Sequence, residues 1–176
     1  LYIGISDYQD SDIPDLHVCH TDAQVMAQVM KEQGHLDGLG VLVNDQATRA
    51  NILAAIQELK LKSKPGDELF IYWSGHGGTC ADTGDEKEEQ DGLDEFLVPY
   101  DAVPGKIAET MVLDDEFGRW IQDLDGRRVV VILDACHSGG SFQGAKGLEK
   151  STGVIQNAGG SQAAPAAGTS IIWVMS

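Results

Sequence analysis

The sequence predicts an α/β fold in which a mostly parallel sheet is flanked by helices. Short apolar segments typical of buried strands alternate along the chain with amphipathic segments typical of helices. The segment 129–133 is continuously apolar, as expected of a strand that is buried on both faces of a parallel sheet. With 176 residues, 42% of them hydrophobic, the chain is long enough for one domain of this kind.

Each element is predicted from its own pattern. The predicted strands are 1–6, 39–43, 68–73, 96–98, 129–135 and 171–175. A first helix is predicted with Thr21 as its N-cap and Gly34 at its end, and a second with Thr48 as its N-cap. A third helix is expected to begin at the three acidic residues 114–116. The Gly- and acid-rich segment 75–92 is predicted to be a loop.

The composition limits the classes of partner. A net charge of −16 argues against nucleic-acid binding and favours solubility, basic partners or divalent cations. We expect no membrane span, because no apolar run approaches the roughly 20 residues that a helix needs to cross a bilayer. Three cysteines without framework spacing argue against a disulfide scaffold and for a reducing, cytoplasmic location.

Two polar motifs directly follow predicted strands, where α/β sheets carry their functional residues. The first is SGHG, which contains His76, and the second is DACHSGG, which contains Cys136. A thiol becomes a nucleophile when a nearby base or cation favours its thiolate, so His76 is the predicted base for Cys136. The backbone N–H groups of Cys136 and Gly77 are predicted to form an oxyanion pocket. The alternatives are a buried structural thiol, a structural histidine, and His137 as a rival base.

The two motifs in this order resemble the catalytic pair of clan CD cysteine peptidases, specifically the metacaspase and bacterial orthocaspase branch. His76 lies 136 − 76 = 60 positions upstream of Cys136. The sequence departs from the true caspase signature, since Asp134 stands in place of its Gln and His137-Ser138 in place of its Arg-Gly. The resemblance implies a caspase-like three-layer fold and a cysteine endopeptidase with a Cys/His dyad, which requires no cofactor for its chemistry.

The resemblance also implies a substrate pocket. In metacaspases, which cleave after Arg or Lys, the positions that match Cys19, Asp22, Ser74 and Asp134 line the primary pocket. Carboxylates in a pocket favour a cationic side chain and repel an acidic one, so protein or peptide substrates with basic cleavage sites are expected. The alternatives are an Asp22 carboxylate that interacts with a helix dipole and an Asp134 carboxylate that accepts hydrogen bonds at a strand end.

Further properties are implied by the same resemblance. A calcium site is implied, and its expected ligands are Asp91, Asp94, Asp114 and Asp115. The alternative is that Asp114 and Asp115 cap and begin the third helix. Lys146 and Lys150 are candidate self-processing sites.

The implied division of the chain is a catalytic large-subunit domain at 1–138, a flexible Gly/Ala/Ser linker at 139–168 and the start of a further strand at 169–176. A C-terminal small subunit is the expected partner. Three alternatives stay open at this point: a catalytically silent scaffold with a caspase fold, an inactive large-subunit fragment, and an unrelated α/β hydrolase. The last requires a G-x-S-x-G nucleophile motif, which the sequence lacks.

Overall fold

The computed structural model describes residues 1–34, 40–81, 93–136 and 170–175, with the backbone alone for Leu93, Cys136 and 170–175. The strands are β1 (Tyr2–Gly4), β2 (Val41–Val43), β3 (Glu68–Ala81), β4 (Leu93–Leu97), β5 (Val112–Leu113), β6 (Arg128–Cys136) and β7 (Ser170–Met175). The helices are α1 (Cys19–Glu32), α2 (Arg49–Lys62), α3 (Ile107–Thr110) and α4 (Asp114–Gln122). The predicted linker 139–168 lies outside the described residues. None of the described helices is both long enough and apolar enough to cross a membrane.

The predicted, mostly parallel sheet is confirmed. Its parallel part has the strand order β2-β1-β3-β6-β7, and β4 and β5 add an antiparallel extension beside the C-terminal end of β3. The helices cover both faces of this sheet. On one face α1 packs Ala23 and Ala27 against Tyr2 and Tyr72, and we call this the α1 face. The other face packs against apolar side chains of α2 and α4, and these are Ile52, Ile56, Phe117, Trp120 and Ile121.

Side chains along β3 alternate between these two faces, as the pleat of a strand requires. Ile71 and Trp73 belong to the large core beneath α2 and α4. Phe70 and Tyr72 belong to the smaller cluster beneath α1. The same period of two places Ser74 and the buried His76 on the α1 face, at the carboxyl end of the parallel strands.

The predicted N-cap of the first helix is wrong. Helix α1 begins at Cys19 with Val18 at the N-cap position, and no side chain of that residue caps it. Instead the hydroxyl of Ser6, which follows β1, accepts a hydrogen bond from the His20 N–H at 3.2 Å. A cap supplied across the fold satisfies an orphan helix donor as well as a local cap does, and no local sequence pattern shows it. The predicted cap of α2 is confirmed, because the side chain of Thr48 accepts from the Asn51 N–H.

The segment 75–92 is not the loop that the sequence predicts, at least up to Ala81. Strand β3 continues through the glycines, because β4 folds back beside it and pairs Gly77 with Leu97 and Thr79 with Glu95. Residues 82–92 lie outside the described part of the chain. This close pairing favours glycine at position 78, since a Cβ atom there would lie 2.6 Å from the ring of Phe96.

The C-terminal end of α2 is joined to the start of β6 by the buried guanidinium of Arg127. This group donates to the carbonyl oxygens of Lys60 at 3.0 Å and Ser63 at 2.9 Å, and to the Ser63 hydroxyl at 2.7 Å. The last carbonyls of a helix have no partner within the helix, and a cation there also interacts favourably with the helix dipole. Arg127 is only 6% exposed, so these bonds are shielded from water.

We therefore expect Arg127→Met to lower the free energy of unfolding by about 3 kcal/mol, because all the hydrogen bonds donated by this buried guanidinium are lost. Urea denaturation followed by circular dichroism measures this change. The matched control is Arg128→Met, which removes an exposed ion pair with Glu68 and should change stability by less than about 0.5 kcal/mol. Equal losses in both variants would show that the buried hydrogen bonds do not stabilise the fold.

Candidate active site

The backbone positions of His76 and Cys136 are brought side by side by the sheet. They are register partners on the parallel strands β3 and β6, and strands in a sheet lie about 4.8 Å apart. His76 is also the point at which β3 changes neighbours, because Gly77 already pairs with Leu97 of β4. The predicted nucleophile and base therefore lie at the same edge of the sheet. The Cys136 side chain lies outside what the structure describes.

The imidazole of His76 is buried and oriented by a main-chain oxygen. Its Nε2 lies 2.7 Å from the carbonyl oxygen of Pro14. A carbonyl oxygen only accepts, so Nε2 carries the proton, and Nδ1 is the nitrogen that accepts a proton in the neutral ring. Burial lowers the pKa of His76, while the Pro14 carbonyl and the Asp15 carboxylate oppose that shift. The neutral form, which a general base requires, is thus favoured.

Tyr8 is a residue of this site that the sequence does not predict. Its phenolic oxygen accepts a hydrogen bond from the His76 backbone N–H at 2.9 Å, and its ring lies 5.1 Å from the imidazole ring. The Tyr8 N–H also donates to the Asp15 carboxylate at 3.1 Å, which folds the loop between β1 and α1 (the first loop) back on itself. This fold brings the Pro14 carbonyl to His76. No sequence signal identifies it, because every residue has a carbonyl oxygen.

The four predicted pocket residues also come together. The Cys19 thiol lies close to the Ser74 side chain and to the carboxylates of Asp22 and Asp134. Ser74 and Asp134 are register partners, two positions before His76 and Cys136. Burial raises the pKa of the Cys19 thiol, and the two carboxylates act in the same direction. The result is a half-buried group of Cys19, Asp22, Ser74 and Asp134 beside the candidate dyad, which we call the acidic cluster.

Close packing at Gly4 sets the position of α1 over the sheet. A Cβ atom at Gly4 would clash with the Cys19 carbonyl oxygen and would lie 2.6 Å from the Ala23 Cβ atom. Only glycine allows the first turn of α1 to approach β1 this closely. Cys19 and Asp22 belong to this first turn and not to the preceding loop, so their side chains are held by a helix beside β3.

A second residue that the sequence does not predict is Tyr72. Its hydroxyl donates to Asp134 Oδ2 at 3.2 Å and lies close to the Ser74 side chain. Tyr72 is 4% exposed, and burial raises its pKa to about 12. The motif SGHG identifies only residues at the end of the strand, whereas Tyr72 lies in the apolar part of the strand, where its type and position are typical of a core residue.

Calcium binding stays a prediction. Asp94 and Asp114 lie at the same end of the β4–β5 pair, because Phe96 is the register partner of Leu113. Asp115 follows in the first turn of α4, whose N-cap is Leu113, so Asp114 is not the cap. Among the described residues no group of three or more His, Cys, Asp or Glu side chains could hold a metal ion.

Three predicted site positions lie outside the described residues, and these are Asp91, Lys146 and Lys150. Their predicted roles stay predictions. The predicted oxyanion donor Gly77 is buried and directly follows His76. Its part in catalysis is a prediction as well.

Comparison with known proteins identifies the protein family that the sequence matches. The family profile described as "Metacaspase, peptidase C14 domain" matches residues 1–143. Metacaspase-1A of Neurospora crassa is 34% identical over 173 residues, which is 90% of this chain and 37% of that protein. Metacaspase-1 of Cryptococcus neoformans is 35% identical over 146 residues, covering 78% of this chain and 30% of that protein. Metacaspase-3 of Trypanosoma cruzi is 31% identical over 168 residues, which cover 86% of this chain and 44% of that protein.

The fold has a similar solved structure. A crystal structure of a Geobacter sulfurreducens protein matches with a TM-score of 0.62 and 28% sequence identity, covering 77% of this chain and 48% of that one. The chain spans only 30–37% of the length of the first two of these curated relatives.

Proposed function

The chain belongs to the metacaspase family of peptidases, and from this premise we propose that it carries the catalytic dyad of a cysteine endopeptidase that cleaves after Arg or Lys. Its α/β architecture is the caspase-like fold that the sequence predicts. The observation that supports the proposal best is the register of β3 and β6. It pairs His76 with Cys136 and, two positions earlier, Ser74 with Asp134.

The proposed reaction needs only groups of this chain, the peptide and water. His76 Nδ1 accepts the proton of the Cys136 thiol, and the sulfur attacks the carbonyl carbon of the scissile bond. The N–H groups of Cys136 and Gly77 donate to the oxyanion that forms. The imidazolium then gives its proton to the amine nitrogen as the C–N bond breaks. The acyl group stays on the Cys136 sulfur as a thioester.

Water hydrolyses the thioester in the second half of the reaction. His76 accepts a proton from the attacking water and returns it to the sulfur, so the free acid and the thiol are regenerated. The Pro14 carbonyl keeps its hydrogen bond to Nε2 throughout and stabilises the imidazolium. In this role a main-chain oxygen stands where other hydrolases use a carboxylate.

The acidic cluster supports the choice of substrate. Asp22 and Asp134 present two carboxylates beside the dyad, and an acidic side chain would be repelled by both. The net charge of −16 adds a long-range attraction for basic peptides.

Paired reporter peptides test this proposal in the complete protein that contains this chain. The peptides are identical except for Arg, Lys, Gln or Asp before the scissile bond, and kcat/KM is measured with and without added calcium. We expect Arg and Lys peptides to be cleaved at least about 100-fold faster than the Gln and Asp peptides. A preference for Asp would contradict the proposed pocket, and no cleavage of any peptide would favour a silent scaffold.

A further inference from the structure

The phenol of Tyr72 lies among the residues of the acidic cluster. Its hydroxyl donates to Asp134 Oδ2 at 3.2 Å and lies close to the side chain of Ser74, which in turn lies close to the Cys19 thiol. These side chains form a contiguous group from β6 through β3 to the first turn of α1. Every predicted pocket residue except Asp22 belongs to this group.

The ring of Tyr72 is fixed by its apolar surroundings. It is 4% exposed and belongs to the cluster that contains Tyr2, Ala23 and Ala27. Its register partners are Tyr2 on β1 and Ile132 on β6. Burial raises the pKa of Tyr72 to about 12, so its hydroxyl is a donor at any physiological pH. A rigid, always protonated donor therefore faces Asp134.

An aspartate carboxylate rotates readily about its last side-chain bond, which has broad torsional preferences. A hydrogen bond from a buried phenol to a carboxylate is charge-assisted and directional, and it holds one oxygen in place. A fixed carboxylate loses less entropy when it binds an ammonium or guanidinium group, so its interaction with a cation is stronger.

We propose that Tyr72 is a specificity-determining positioning residue, which orients the Asp134 carboxylate toward the cationic end of the substrate side chain. This inference rests on the proposed function, because it assumes that the acidic cluster receives a basic side chain. It adds a residue that acts through Asp134 and is not expected to touch the reacting bond.

The test is Tyr72→Phe, which removes one hydroxyl and keeps the ring. The readout is the ratio of kcat/KM for an arginine peptide to kcat/KM for the same peptide with citrulline, the neutral isostere of arginine. We expect the ratio to fall about tenfold, through a higher KM for the arginine peptide, because the lost bond supports only the interaction with positive charge. Cleavage of the citrulline peptide should change less than about twofold.

Tyr2→Phe is the matched control. Tyr2 is the register partner of Tyr72 in the same buried cluster, and its hydroxyl has no hydrogen-bond partner among the described residues. Both variants thus remove one buried phenolic oxygen, and only one of them removes a bond to Asp134. We expect Tyr2→Phe to leave the ratio unchanged.

A double-mutant cycle completes the design. In an Asp134→Asn background, adding Tyr72→Phe should change the ratio by less than about twofold, since the group through which the phenol acts is gone. A full tenfold effect in that background would overturn the inference. So would an unchanged ratio in Tyr72→Phe, or a loss that is equal for both peptides and accompanied by a lowered melting temperature. A wild-type protein without preference for arginine over citrulline would contradict the proposed function itself, and the inference with it.

Discussion

Cys136→Ala is expected to lower kcat/KM for a basic reporter peptide by about 10⁴-fold or more, because the proposed thioester forms on the Cys136 sulfur. His76→Ala should cost nearly as much, since the neutral thiol is a poor nucleophile without its base. The two residues act as one unit, so the double variant should be no worse than either single variant. Initial rates at saturating and subsaturating peptide measure all three.

The pH dependence gives an independent test of His76. The base must be neutral to accept the thiol proton, so activity rises as the pH increases through the pKa of this histidine. Burial lowers that pKa from the ordinary value of 6.5. The acidic limb of kcat/KM should therefore have its midpoint below 6.5. A midpoint above that value would contradict the buried, neutral imidazole.

Matched controls are available for both side chains. Cys80→Ala changes a partly buried cysteine on β3 beyond the site, and His17→Ala changes an exposed histidine of the first loop. Both variants should retain activity within about twofold, because neither belongs to the proposed machinery. Activity that survives in Cys136→Ala, or is lost in Cys80→Ala, would contradict the assignment of Cys136 as the nucleophile.

The sequence predicts the parallel core of this fold well, and the reason is burial. The apolar run 129–133 and the two apolar faces of β3 are both buried when helices cover the two faces of the sheet. The rule that sites lie at carboxyl ends of parallel strands then selects the motifs SGHG and DACHSGG, and the chemistry of a thiol with a nearby base points to His76 and Cys136 within them. Their register, by contrast, is set by packing of whole strands and appears only in the structure.

What the sequence misses depends on long-range contacts. The continuation of β3 to Ala81 follows from pairing with β4, which a glycine-rich segment does not suggest. The cap of α1 comes from Ser6, 14 positions before His20. The orientation of His76 depends on a carbonyl oxygen 62 positions away, which carries no residue-specific pattern. A side chain that acts by orienting a neighbouring side chain, such as Tyr72, has the residue type and strand position of a core residue in the sequence.

Neutralising the pocket should have the second largest effect. Asp134→Asn keeps the shape of the side chain and removes its charge, and we expect it to lower kcat/KM for the arginine peptide by about 100-fold. The physical reason is that a half-buried carboxylate interacts with a cation through less water than a surface carboxylate does. The citrulline peptide should lose far less, because its side chain carries no charge.

Asp45→Asn separates this local effect from the overall field. It changes the net charge of the chain by the same amount, but Asp45 is exposed and lies in the turn after β2. Its effect on kcat/KM should be less than about twofold and should vanish at high salt, where exposed charges are screened within a few ångströms. The loss in Asp134→Asn should persist at high salt, because a partly buried pair is screened much less. If salt abolished both effects alike, the preference for basic peptides would come from the charge of the whole surface and not from the pocket.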